Sequence, residues 1–154
     1  MAAAQGKERI AKYLVSECNA QINPIPDNPD YIDWTPPLET AIREQQVEMI
    51  KILVEMGART SFSGGRSALH ISAVAGSIKL FDFFLEAECE INQRDDMSNT
   101  PFAFAVTSHN HYAMVSHLGD RGSIGDQNDY DRLEGSWNPS ANYINDSVRQ
   151  YHDL

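Results

Sequence analysis

Apolar positions along this chain come in paired blocks. A short block opens each pair: Pro36-Pro37-Leu38-Glu39-Thr40-Ala41, then Ser67-Ala68-Leu69-His70-Ile71-Ser72, then Thr100-Pro101-Phe102-Ala103-Phe104-Ala105. The anchors Leu38, Leu69 and Phe102 stand 31 and 33 residues apart. A longer block follows each anchor: Met49, Ile50, Ile52, Leu53 and Val54; Leu80, Phe81, Phe83, Phe84 and Leu85; and Met114, Val115 and Leu118. Spacing of i, i+3 and i+4 within these blocks predicts a helix with a wide buried stripe. The small residues Ala41, Ala73 and Ala105 fall in the preceding helix, where they let helices approach closely. Gly57 and Gly122 suit a left-handed helix cap, where a Cβ is costly. A period near 33 predicts a helix-turn-helix unit joined by a β-turn to the next.

The pattern resembles the ankyrin repeat family, whose units run roughly Gly-x-Thr-Pro-Leu-His-x-Ala-Ala, two variable residues, Gly, a hydrophobic second helix, then Gly-Ala-x-Val-Asn. The fullest match runs from Gly65 through Ser67-Ala68-Leu69-His70 to Gly76 and on to Cys89-Glu90-Ile91-Asn92. Pro36-Pro37-Leu38 and Gly57-Ala58 carry the unit before it, and Asn99-Thr100-Pro101-Phe102 with Arg121-Gly122-Ser123 the unit after. Gly6, Ile10, Tyr13, Leu14, Ile22 and Asn23 look like the second helix and exit of an opening half-unit. The resemblance implies an all-α fold, a solenoid of stacked helix-turn-helix units with β-turn fingers. It divides residues 1–123 into a half repeat at 1–23, an enlarged finger at 24–34 and repeats at 35–60, 61–92 and 93–123. Glu88 and Gln45 stand where the family places capping glycines, and one extra residue in the last repeat puts Asn110 at the corresponding cap. His117 and Gly119 replace leucines, which suits a terminal repeat with no neighbour on its outer side.

Two segments depart from the periodic pattern. Residues 24–34 hold three prolines, which forbid helix and predict an extended finger. Residues 124–154 hold five Leu, Ile or Val and no Phe among scattered Asp, Asn, Ser and Gly, and read as an acidic tail, disordered or loosely docked. Across the whole chain Leu, Ile, Val and Phe make up about 22 % of residues, so the core is expected to be thin.

Charge and cysteine count narrow the setting. The formal net charge of −10 opposes direct binding to nucleic acid or to an anionic membrane. No apolar run approaches the roughly 18 residues of a membrane span, and residues 1–11 lack the apolar stretch of a signal peptide. Cys18 and Cys89 are too few for a disulfide framework and read as free thiols in a reducing compartment. The expected location is intracellular, cytoplasmic or nuclear.

Motifs for chemistry are missing. The histidines His70, His109, His111, His117 and His152 and the two cysteines show no zinc-ligand spacing, and no P-loop, Gly-x-Gly-x-x-Gly or Gly-x-Ser-x-Gly is present. We expect no metal, no cofactor and no catalytic residue. The resemblance gives His70 a structural role, tying neighbouring hairpin backbones by hydrogen bonds.

What remains is recognition by a rigid surface. The resemblance implies a concave face of finger tips and first helices that binds a protein partner and buries a standard interface of about 1,600 Å². By repeat register the candidate contacts are Asp33, Trp34, Arg43 and Glu44; Phe62, Ser63, Arg66 and Val74; and Asp96, Met97, Asn99, Thr107 and Ser108. The acidic balance favours a partner with a basic surface. Within this class the chain is similar to compact inhibitors of Rel-type transcription factors (inhibitor-of-NF-κB-like), although no Asp-Ser-Gly-x-x-Ser degron occurs. Other readings are a substrate receptor of a ubiquitin ligase, whose Leu-rich C-terminal box is missing from 124–154, and a fragment of a larger ankyrin scaffold. Glu90-Ile91-Asn92 resembles the exit that asparaginyl hydroxylases modify, which nominates Asn92.

Overall fold

A computed structural model of the chain describes residues 10, 13, 15, 20–23, 35–108, 112–123 and 125. The 24–34 finger, the Asn110 cap, Cys18 and the tail beyond Gly125 lie outside the described residues. The chain divides into two compact units, Met1–Ser63 and Gly64–Leu154. Among the described residues every long element is a helix. The first unit holds α1 (Pro37–Arg43) and α2 (Val47–Glu55). The second holds α3 (Ala68–Val74), α4 (Ile78–Glu86), α5 (Pro101–Thr107) and α6 (Tyr112–Asp120). A short 3-10 turn covers Ser63–Gly65. The fold is therefore all-α and repeated, a short helix followed by a longer one each time.

In the first unit, α1 starts where Pro37 takes the first helical position, which needs no backbone N–H. Leu38, Ala41 and Ile42 on α1 pack against Met49, Ile50, Ile52 and Leu53 on α2, all buried. The other side of α2 carries Glu48 and Lys51, ion-paired at 3.0 Å in solvent. Asn23 ties the start of the unit to its end. Its side-chain carbonyl accepts from the Arg59 amide at 2.8 Å, and its amide donates to the Gly57 carbonyl at 2.9 Å. Ile10, Tyr13 and Val15 are helical, as the half-unit pattern predicts.

In the second unit, α3 packs on α4 and on α5, and α6 packs on α5 and α4. Leu69, Ile71, Leu80, Phe81, Phe84, Phe102, Met114 and Leu118 form its core. The three anchors Leu38, Leu69 and Phe102 are all buried, as their spacing predicts. Ser72 occupies the register position of Ala41 and Ala105 and is fully buried; its hydroxyl donates to the Ala68 carbonyl at 2.7 Å, so no polar group is left unmatched. His117 turns its Nε2 to the Asp82 carboxylate at 2.8 Å, and Arg121 reaches the same oxygen at 3.0 Å. One carboxylate on α4 thus gathers two basic groups from the end of α6. Partial exposure limits such a pair to about 1 kcal/mol or less.

His70 links the head of α3 to the turn that precedes α5. Its Nδ1 accepts from the Ser67 amide at 3.0 Å, closing the start of α3, and the Ser67 hydroxyl lies 2.8 Å from the same nitrogen. An amide can only donate, so the ring proton sits on Nε2, which donates to the Asn99 carbonyl at 3.1 Å. The edge of the ring meets Phe104 at a centroid distance of 5.3 Å. Burial holds the imidazole below its ordinary pKa of 6.5, against the opposing pull of the Asn99 carbonyl and the Asp95 charge.

Left-handed backbone ends the helices. Gly57, Gly76 and Gly122 adopt φ of 86°, 65° and 78°. Gln45 and Glu88 take the same conformation without being glycine, at φ 53° and 62°. After each, the following amide bonds back to a carbonyl of the helix, as Cys89 does to Phe84 at 3.2 Å.

Two outcomes are expected. Glu88→Gly relieves a strained left-handed residue and should raise stability by about 1 kcal/mol, read as a higher thermal midpoint. The second concerns pH. A histidine whose pKa is lower folded than unfolded binds its proton more readily in the unfolded chain. Its contribution is complete above pH 6.5 and is lost as pH falls through the folded value. Urea midpoints should therefore drop between pH 7.5 and pH 5, and His70→Gln should flatten that slope.

Candidate functional site

The second unit presents a ridge built from two finger turns. Asp95 organises one of them. Its Oδ1 accepts from the backbone amides of Met97 (2.9 Å) and Asn99 (2.7 Å), and its two oxygens take the Asn99 side-chain amide at 3.1 and 3.0 Å. The backbone closes the turn through Asp95 N–H to the Asn99 carbonyl and Ser98 N–H to the Asp95 carbonyl, each 2.9 Å. Ser98 is left-handed at φ 64°, and its carbonyl accepts from Arg94 Nη1 at 2.8 Å. Burial alone would raise the Asp95 pKa. The hydrogen bonds from the Asn99 side chain and from the Asn99 and Met97 amides together outweigh it and hold the group below the usual 3.8, so it stays a carboxylate.

The neighbouring turn carries Gly64 and Gly65, both left-handed. Asp96 N–H donates to the Gly64 carbonyl at 3.0 Å, so the two turns meet backbone to backbone. A Cβ on Gly65 would stand 2.5 Å from Asp96 Oδ1 and 2.8 Å from the Asp96 nitrogen. Only glycine fits there. The Asp95–Asn99 turn is in turn fixed to α3 by the bond from His70 to Asn99.

The structure sorts the expected contact residues. Asp96 and Met97 stand exposed on the ridge, Met97 with 74 % of its surface in solvent, and Arg66 follows Gly65, half-buried. Val74 ends α3 half-buried and Thr107 ends α5 exposed, on two helices that pack together. Thr107 and the half-buried Ser108 turn their hydroxyls back onto helix carbonyls, Ala103 at 3.0 Å and Phe104 at 2.8 Å. Ser63 is exposed. Phe62 and Asn99 are placed differently from the expected face. Both are buried, at 8 % exposure, and have little side chain to offer a partner; Asn99 is committed to Asp95. On the first unit, Glu44 is exposed just past α1, and Arg43 is half in solvent with its guanidinium 2.7 Å from Glu39. Asp33 and Trp34 lie outside the described residues. Asn92 is exposed, and its side-chain carbonyl accepts from the Ser123 hydroxyl at 3.3 Å.

Glu39 went unnoticed in the sequence. It sits at the register position of His70, 3 % exposed, and Arg43 four residues on answers its charge through Nε and Nη2. The i, i+4 spacing of acid and base was the available signal. Asp95 is likewise absent from the residues that the sequence nominates. The turn Asp-x-x-x-Asn, with a carboxylate placed to accept from the backbone amides two and four residues on, is the cue to its role.

Among the described residues no group of three or more His, Cys, Asp or Glu is placed to hold a metal ion, and no helix is long and apolar enough to cross a membrane. The ridge offers shape, one thioether, and balanced charge from Asp96 and Arg66. Its rigidity can be checked. Gly65→Ala should lower stability by about 2–4 kcal/mol, combining overpacking with left-handed strain. Gly64→Ala, whose Cβ would meet only Arg66 Nε at 3.9 Å, should cost about 1 kcal/mol. Denaturation midpoints of the two variants give the comparison.

A family model for the ankyrin repeat matches residues 64–96. No curated protein matches the chain. The matched segment opens on the Gly64–Gly65 turn, runs through α3 and α4 and ends on Asp96, the residue that packs against Gly65. Residues 64–96 are thus an ankyrin repeat, a unit of protein–protein interaction, and the helix pairs before and after it in the chain are consistent with the same repeat.

Proposed function

We propose that the chain is a non-enzymatic binding module that holds a protein partner on its finger tips and first helices. The observation that carries this reading is the division of labour in the second unit. Residues at framework positions, Leu69, His70, Asp95, Asn99 and Phe102, are buried and committed to packing or hydrogen bonds. Residues between them, Arg66, Asp96, Met97 and Thr107, keep surface in solvent on a backbone that is already fixed. A preformed surface loses little conformational entropy on binding. An exposed Met and an Arg on two turns that meet is a composition that interfaces favour.

By repeat register, Arg43 and Glu44 are the counterparts in the first unit, and Asp33 and Trp34 extend the set into the 24–34 finger. The net charge of −10 favours a partner with a basic surface and an intracellular setting away from anionic membrane. Asn92, exposed at a repeat exit, is an acceptor for an asparaginyl hydroxylase in this reading.

The test is affinity capture from cell lysate with the wild type beside a double variant, Arg66→Glu with Met97→Ala. Both substitutions are at positions with solvent-exposed surface, so folding should survive. A protein recovered by the wild type and lost with the variant is the expected result. Equal recovery on both baits moves the site off this ridge.

A further inference from the structure

Four methionines lie among the described residues, and their surroundings differ sharply. Met49 and Met114 are each 1 % exposed, inside the two helical cores. Met56 is half-buried after α2. Met97 is 74 % exposed, the most exposed large apolar side chain among the described residues. This exposure is built in. The Met97 amide is held by Asp95, the next residue is left-handed, and Asp96 is pressed against Gly65, so the backbone that carries the thioether into solvent is fixed.

We propose that Met97 is an oxidation site for hydrogen peroxide and that its sulfoxide switches off recognition by the ridge while leaving the fold intact. In the reaction a sulfur lone pair attacks one peroxide oxygen. The S–O bond forms as the O–O bond breaks, the hydroxyl proton passes to the departing hydroxide, and water leaves. Sulfur loses two electrons and the peroxide gains them. No protein group takes part, so solvent access sets which methionine reacts. The product places a polar S=O where an apolar tip stood, and a thiol-dependent sulfoxide reductase reverses it.

The hydrogen bonds of the turn explain why the fold would be spared. All of them run through backbone groups and through the side chains of Asp95, Asn99 and Arg94; none uses the Met97 side chain. Oxidation of Met49 or Met114 would instead put a polar group into a packed core.

The recognition half of the proposal rests on the binding function proposed above; the selectivity half does not. The full chain is treated with dilute hydrogen peroxide, and each methionine peptide is followed by mass spectrometry alongside a thermal melt. Met97 is expected to oxidise at least about ten-fold faster than Met49 and Met114, with an unchanged midpoint. Equal rates, or a midpoint that falls with Met97 oxidation, overturn selectivity. Capture is then repeated with oxidised wild type and with the same oxidised protein after treatment with a thiol-dependent sulfoxide reductase. Loss of the partner from the first and retention by the second is the expected result. Retention by both overturns the switch. If unoxidised wild type recovers no partner that depends on Arg66 and Met97, the binding function itself fails, and the switch with it, while the measured selectivity stands.

Discussion

The second unit hangs on one buried imidazole. His70 reaches back to the Ser67 amide at the head of its own helix and forward to the Asn99 carbonyl of the next finger. Both partners have fixed roles, donor and acceptor, so only one neutral tautomer satisfies them. Asn99 in turn completes the Asp95 turn, and that turn sets Asp96 against Gly65. A chain of short-range bonds therefore places the ridge without a large core beneath it. This suits a sequence in which the strongly apolar residues are scarce.

Much of the architecture was legible in the spacing of a few residues. Leu38, Leu69 and Phe102 mark the first helices because a period near 33 admits few other arrangements, and all three are buried. Gln45 and Glu88 could be placed at left-handed caps from register alone, against their own conformational preference. The finger contents were less legible. Phe62 and Asn99 fall at positions that look variable, yet one fills space and the other completes a carboxylate turn. Local polar bonds decide the direction of such side chains, and hydrophobic periodicity carries no information about them.

The match of residues 64–96 to the ankyrin repeat also has a physical explanation. That repeat keeps both the glycine at the finger and the histidine that bridges to the next unit. The helix pair before it has Glu39 at the histidine position and Gln45 at the cap; the pair after has Ala103 at the histidine position. Glu39 finds Arg43 one turn along its own helix, where the histidine of the matched repeat reaches the next finger. Apolar anchors and helix pairs persist while the polar signature fades, because packing constrains shape more tightly than it constrains any single hydrogen-bonding side chain.

The contact between Gly65 and Asp96 bears on mechanics. Force applied at the Met97 turn would be shared with the Asp95 carboxylate and, through Asn99 and the imidazole, with the head of α3. The load path is a line of polar bonds along one edge of the unit. The apolar centre of Phe81, Phe84 and Phe102 would be spared until that line gave way.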